Sequence, residues 1–116
     1  MNRAPGGAIL ARMLTGGCLC GGVRFEITGE IGSPSFCHCS QCRHASGSAF
    51  ATNAGISAAD FHLRAGADLV REYESSPGQF RAFCSRCGSP VYSRRRDHPE
   101  LFTITDGLPQ LERGDA

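Results

Sequence analysis

Gly16-Gly17-Cys18-Leu19-Cys20-Gly21-Gly22-Val23-Arg24-Phe25-Glu26-Ile27 holds the two features that decide the fold. Its second half alternates, with Val23, Phe25 and Ile27 apolar and Arg24, Glu26 and Thr28 polar, the pattern of a half-buried strand, here ended by Gly29. Its first half sets two cysteines two residues apart. Side chains two apart in an extended segment share a face, so Cys18 and Cys20 are placed to grip one ion. A short strand headed by a metal knuckle is the unit from which the rest is read.

The remaining cysteines obey the same logic. All seven fall in three tight clusters: Cys18/Cys20, then Cys37-His38-Cys39-Ser40-Gln41-Cys42, then Cys84-Ser85-Arg86-Cys87-Gly88. Each C-x-x-C lets a tight turn bring two sulfurs onto one metal, and Gly88 suits the left-handed position such turns need. Zinc fits best, because it accepts thiolates in tetrahedral geometry and brings no redox chemistry to damage them. Cys37, Cys39 and Cys42 are self-contained, so Cys18/Cys20 is expected to join Cys84/Cys87 in a closed four-thiolate site. That leaves a second, three-thiolate site with one position open. Spacing alone equally admits two structural sites, with His38, His44 or water in the fourth position. Disulfides fit less well in the reducing compartment expected for this chain, and a thioredoxin-like use of either C-x-x-C fits less well because neither opens a helix in a βαβ unit.

Composition agrees with metal-assisted folding. The chain has 116 residues, enough for one domain, yet Leu, Ile, Val and Phe together number only 23. So thin a core calls for covalent or metallic help. All twelve basic residues are Arg, which removes Schiff-base catalysis and a P-loop lysine. A net charge of +1 gives no field to steer nucleic acid or an anionic membrane, so neither is an expected partner. No stretch approaches the roughly 18 apolar residues that span a bilayer. The apolar run Ala8-Ile9-Leu10-Ala11 is short for a signal peptide, whose apolar region has about 7–15 residues. With an odd number of thiols, a cytoplasmic, reducing location is expected.

Along the chain, residues 1–13 read as a disordered lead, 14–108 as one zinc-binding β domain and 109–116 as a frayed tail. Short strands are expected at 49–53, 61–64, 69–73, 79–83, 91–93 and 101–105, with a helical turn from Ser40 to Ala45. Ser57-Ala58-Ala59-Asp60 reads as a turn, and Ser75-Ser76-Pro77-Gly78 as the turn of a hairpin. The class is mainly β.

These motifs carry a resemblance. Gly16 to Phe25, then Cys37-His38-Cys39-Ser40-Gln41-Cys42-Arg43-His44-Ala45-Ser46-Gly47, then Ser75 to Gly78 with Phe83-Cys84-Ser85-Arg86-Cys87-Gly88-Ser89-Pro90, resemble in order the three signatures of the glutathione-dependent formaldehyde-activating enzyme / centromere protein V family. The match runs from about Gly16 to Tyr92. It implies a tent-like zinc fold of short antiparallel sheets, with two zinc ions per chain. One is structural, on Cys18, Cys20, Cys84 and Cys87. The other sits on Cys37, Cys39 and Cys42 and can take a thiol such as glutathione. The implied activity is carbon–sulfur lyase, the formation or cleavage of S-hydroxymethylglutathione from the thiol and an aldehyde; the alternative is a non-enzymatic zinc-bound module. Family members continue with β structure beyond a segment that Thr105-Asp106-Gly107-Leu108 resembles, and here a pocket open on one side is expected.

The chemistry of an open three-thiolate zinc favours that activity over hydrolysis. Three thiolates leave the ion a net −1, whereas three imidazoles would leave +2 and acidify water better. A fourth thiolate stays deprotonated and nucleophilic on such a centre. Among the neighbours, His38 lies between two same-face cysteines and is expected to point away from the metal. His44 reads as a surface residue or a substrate contact, and Arg43 and Arg86 as charges that offset thiolates. Arg43, His44, Ser46 and Gly47 are the expected substrate contacts, and Phe50 is expected in the core. Arg94-Arg95-Arg96 reads as a solvated turn. Asp60 and Asp106 show no partner pattern for acid–base catalysis.

Overall fold

The alternation at Val23–Ile27 becomes an antiparallel pair. Strand β1 (Leu14–Gly17) lies beside β2 (Arg24–Ile27), with Gly16 opposite Phe25, and β2 pairs in turn with β5 (Phe61–Ala65). The structure is a computed structural model and describes residues 13–33, 35–105 and 112–113. Its second and larger sheet contains β3 (Ser35–Cys37), β4 (Ala51–Ser57), β6 (Val70–Ser76), β7 (Gln79–Cys84), β8 (Pro90–Arg95) and β9 (His98–Thr105). Its order is β3-β4-β9-β8-β7-β6, antiparallel throughout. A mainly-β domain of two antiparallel sheets is thus what the sequence leads one to expect.

One core joins the sheets. Val23, Phe25 and Ile27 from the smaller sheet meet Ile56, Ala82, Val91 and Ile104 from the larger one, and Cys18 and Cys84 belong to the same buried cluster. Phe61 is the aromatic bridge, its ring 5.0 Å from Phe25 and 5.5 Å from both Tyr92 and Phe102. The hairpin expected at Ser75–Gly78 forms between β6 and β7, with Gly78 at φ 79° where an L side chain would be strained.

Several expectations need correction. Ser35–Cys37 forms an edge strand that the sequence reading missed, because the Ser33-Pro34 step reads as a lead-in rather than as a strand start. Strand β4 runs to Ser57 rather than to Asn53, since its inward residues Ala51, Ala54 and Ile56 do not keep a simple alternation. The turn expected at Ser57–Asp60 is present, as a 3₁₀ turn over Ala58–Asp60. Phe50, expected in the core, is 37% exposed and meets Phe36 edge to face and the tilted ring of His38 on the surface. Within the tail expected to fray, Glu112–Arg113 form a strand, β10, antiparallel to Leu14–Thr15, so backbone hydrogen bonding fixes that piece. Residues 1–12, 106–111 and 114–116 lie outside the described residues, and with them most of the expected lead and the Asp106-Gly107-Leu108 segment. Among the described residues no helix is long and apolar enough to cross a membrane.

Candidate metal centres

Two turns at one end of the sheets build the first sulfur cluster. Cys18 leaves β1 and Cys20 follows it; the Gly21 N–H bonds the Cys18 carbonyl at 3.1 Å, and Gly21 holds φ 81°. Cys84 ends β7 and Cys87 follows in a turn closed by Gly88 N–H to the Cys84 carbonyl at 2.7 Å, with Gly88 also at φ 81°. Backbone N–H groups face the sulfurs, Val23 toward Cys18 Sγ at 3.2 Å and Arg86 toward Cys84 Sγ at 3.4 Å. Such donors stabilise thiolates rather than thiols.

The sulfurs converge as a tetrahedral ion requires. Sγ of Cys18 and Cys20 are 3.4 Å apart, those of Cys20 and Cys84 3.9 Å, and all four, Cys87 included, lie within 4.8 Å of one another. At a zinc–sulfur bond of about 2.3 Å, a tetrahedron has sulfurs about 3.8 Å apart. All seven thiols are free, and a donor set of thiolates alone suits zinc. The cluster thus fits a metal, with its buried half at Cys18 and Cys84 and its rim at Cys20 and Cys87. Arg86 Nε donates to Cys20 Sγ at 3.3 Å, so that arginine offsets thiolate charge as expected. Ser89 was not foreseen: its Oγ accepts from Leu19 N–H at 2.9 Å and sits 3.3 Å from Cys87 Sγ, linking the two knuckles. The Ser89 hydroxyl and N–H bring the Cys87 thiol down to about 5, whereas burial pushes Cys84 up. The Gly22 N–H, with Arg86 behind it, lowers Cys20.

The second cluster is local. Cys37 ends β3 opposite Ala51, Cys39 precedes helix α1 (Ser40–Ser46), and Cys42 is buried within that helix. Cys39 acts as the helix N-cap, its Sγ accepting from the Cys42 N–H at 3.4 Å. Gly47, at φ 68°, closes the other end by donating to the Arg43 carbonyl. Sγ of Cys37 and Cys39 are 3.5 Å apart, and the three sulfurs lie within 4.8 Å of one another, again a fit to one metal. Among the described residues no His, Asp or Glu joins them. The Cys42 N–H lowers the Cys39 thiol to about 7, while burial pushes Cys42 up to about 11.

The neighbours divide clearly. His38 turns its ring onto Phe50, 5.3 Å between centroids, away from the sulfurs. Arg43 Nε donates to the His38 carbonyl at 3.1 Å and His44 Nδ1 to the Ser40 carbonyl at 2.7 Å. Ser46 Oγ accepts from Ser48 N–H at 3.2 Å. Arg43, His44, Ser46 and Gly47 therefore hold the helix and the loop after it. Arg94, Arg95 and Arg96 pair with Glu72, Asp97 and Glu74.

Arg81 is the residue that the sequence reading missed. Its Nη2 reaches Cys42 Sγ at 3.9 Å, and it also lines a cleft of about 290 Å³ together with Ala45 of the helix and Tyr73, Phe83 and Tyr92 of the sheet. Arg81 thus relates the cleft to the three-sulfur cluster, whose cysteines do not line it; Gly88 and Pro90, just after Cys87, line it as well. One signal was available: Arg81 and Phe83 share one face of an expected strand, so a charged residue stands next to an apolar one there.

Over residues 13–114 the chain matches the family described as "Glutathione-dependent formaldehyde-activating enzyme". It is 37% identical over 97 residues to a Halomonas elongata protein named "Putative glutathione-dependent formaldehyde-activating enzyme", an alignment covering 77% of this chain and 60% of that protein. The chain therefore spans about three-fifths of that relative's length. The crystal structure of a Rhodobacter sphaeroides protein is similar with a TM-score of 0.69 at 27% identity, over 84% of this chain and 87% of that one.

Proposed function

The chain belongs to the glutathione-dependent formaldehyde-activating family, and on that premise we propose that it is a zinc-dependent carbon–sulfur lyase acting on adducts of a small thiol, glutathione or a relative, with formaldehyde. In this reading Cys18, Cys20, Cys84 and Cys87 hold a structural zinc, and Cys37, Cys39 and Cys42 hold a second whose fourth position takes the substrate sulfur. The observation that carries the reading is the three-sulfur cluster, with Arg81 3.9 Å from Cys42 Sγ and also lining a neighbouring cleft. When bound there, zinc supplies an electron-rich centre that keeps a substrate thiol deprotonated at neutral pH.

The protein's own residues do the rest. Cys39 needs little help to ionise, since the Cys42 N–H already favours its thiolate. Cys42 is buried, and the Arg81 guanidinium lies 3.9 Å from its sulfur. Phe83 and Tyr92, partly buried, form the apolar wall of the cleft on the sheet side. In the forward direction a bond forms between the substrate sulfur and the formaldehyde carbon, and the thiol proton ends on the aldehyde oxygen. The reverse direction breaks that bond and returns the proton to sulfur. A reducing compartment such as the cytoplasm suits seven free thiols.

Thiol and aldehyde also combine without a catalyst, so the test is kinetic. S-hydroxymethylglutathione formation with the protein should exceed the spontaneous rate, and Cys39→Ser should return it to background while the chain stays folded. A wild-type rate equal to background, with glutathione bound all the same, would make the chain a thiol-binding module instead.

A further inference from the structure

We propose that Arg81 is the carboxylate-binding residue of the cleft, so that the protein selects thiols that also carry an acid group. The inference rests on the reading of Cys37, Cys39 and Cys42 as the thiol site. Arg81 occupies the middle of a row across three strands, opposite Tyr73 of β6 on one side and Ser93 of β8 on the other, and all three line the cleft. Its Nε donates to Ser75 Oγ at 3.1 Å, which fixes the plane of the guanidinium. Its Nη2 lies toward Cys42 Sγ at 3.9 Å, beyond a strong contact.

Four other arginines, three at β8 and its end and one in the smaller sheet, are ion-paired, whereas Arg71 of β6 bonds the backbone carbonyls of Asp68 and Val70. Arg94, Arg95 and Arg96 each meet a carboxylate of the chain, and Arg64 meets Glu26. Among the described residues no carboxylate stands within ion-pair distance of Arg81, although it is half-buried in a mostly apolar cleft. A guanidinium in such surroundings binds a planar anion two-pronged and more strongly than a surface arginine does. Arg81 lies beside Cys42, close enough for one small molecule to reach it with an anion and the cluster with a sulfur. Phosphate has no sulfur and an uncharged thiol no anion, so the fitting class is the carboxylate-bearing thiol.

The chain carries its own reporter. It has two tyrosines and no tryptophan, and both tyrosines, Tyr73 and Tyr92, line the cleft. Tyrosine fluorescence of the zinc-loaded full chain is titrated with glutathione, with S-methylglutathione (carboxylates, blocked thiol) and with 2-mercaptoethanol (thiol, no carboxylate), and zinc content is measured on the same samples. Arg81→Gln should weaken both glutathione ligands by roughly ten- to a hundredfold, the usual cost of losing a charged hydrogen-bonding partner. It should leave 2-mercaptoethanol and zinc content unchanged, and Arg81→Lys should restore part of the loss. Equal weakening for all three ligands, loss of zinc in Arg81→Gln, or no glutathione binding by the wild type would each overturn the assignment. Discrimination by Arg81 without lyase rate would sink the lyase reading alone, and a lyase rate without discrimination would sink this one alone.

Discussion

Cys20 and Cys84 stand 64 residues apart in sequence and 3.9 Å apart in space, whereas Cys37, Cys39 and Cys42 occupy one strand end and the first turn of the helix after it. A metal in the first place closes a long loop and ties β1 to β7, and so removes much chain entropy from the unfolded state. In the second it orders only the edge strand and a seven-residue helix. The surroundings differ in the same sense. The closed cluster shares the main core through Cys18 and Cys84; the local cluster buries Cys42 alone, with Arg81 near its sulfur. A donor type used twice is therefore set in two different surroundings, one tying distant strands together and one local.

The largest expected effect separates the clusters by mutation. Structural zinc contributes an apparent 10–16 kcal/mol or so in small finger peptides, as much as the roughly 5–15 kcal/mol of a whole domain. Cys84→Ser should therefore abolish the cooperative thermal transition, while Cys39→Ser should keep it and lose one metal per chain. A Cys84→Ser variant melting near the wild-type temperature would break the contrast.

Two glycines sharpen it at smaller scale. Gly66, at φ 83°, lies against the backbone of Gly22 and Val23, the segment just after the closed cluster's first knuckle. A Cβ there meets backbone that cannot move away, so Gly66→Ala should cost about 3 kcal/mol or more from overpacking and the left-handed φ together. Gly47 beside the local cluster has φ 68° but open space around it, and Gly47→Ala should cost about 1–2 kcal/mol. Thermal melts check the order, which fails if Gly47→Ala is the worse of the two.

The smallest effect is a pH profile. When mild chelation has freed the local cluster, Cys39, held at about 7, gains thiolate as pH rises through neutrality, whereas Cys42, pushed up to about 11, stays protonated. Alkylation by iodoacetamide, read by peptide mass, should label Cys39 with a midpoint near pH 7 and Cys42 last. Faster labelling of Cys42 would contradict the burial argument.

Much of this was legible in local sequence. The grouping of seven cysteines and the alternation at Val23–Ile27 each depend on neighbours within a few residues, as does the Pro77-Gly78 turn. What escaped depends on distant pairing. Phe50 reads as core by its type, yet its partners Phe36 and His38 share its exposed edge. Arg43 adjoins a thiolate in sequence but spends its guanidinium on the His38 carbonyl, while Arg86 does reach a sulfur. Arg81 has no cysteine within two residues, and only the register of β6, β7 and β8 and the placement of the helix bring it to Cys42. Alternation tells which side of a strand a residue takes and not what lies over it.

The division of roles is tested most directly by a graded chelator titration that follows metal content and far-ultraviolet circular dichroism together. The account predicts that one metal per chain leaves first with the fold intact, that glutathione changes how readily it leaves, and that the second leaves only as the chain unfolds. Both metals leaving together in a single unfolding step would show that Cys37, Cys39 and Cys42 form a structural site, and the proposed chemistry would lose its basis.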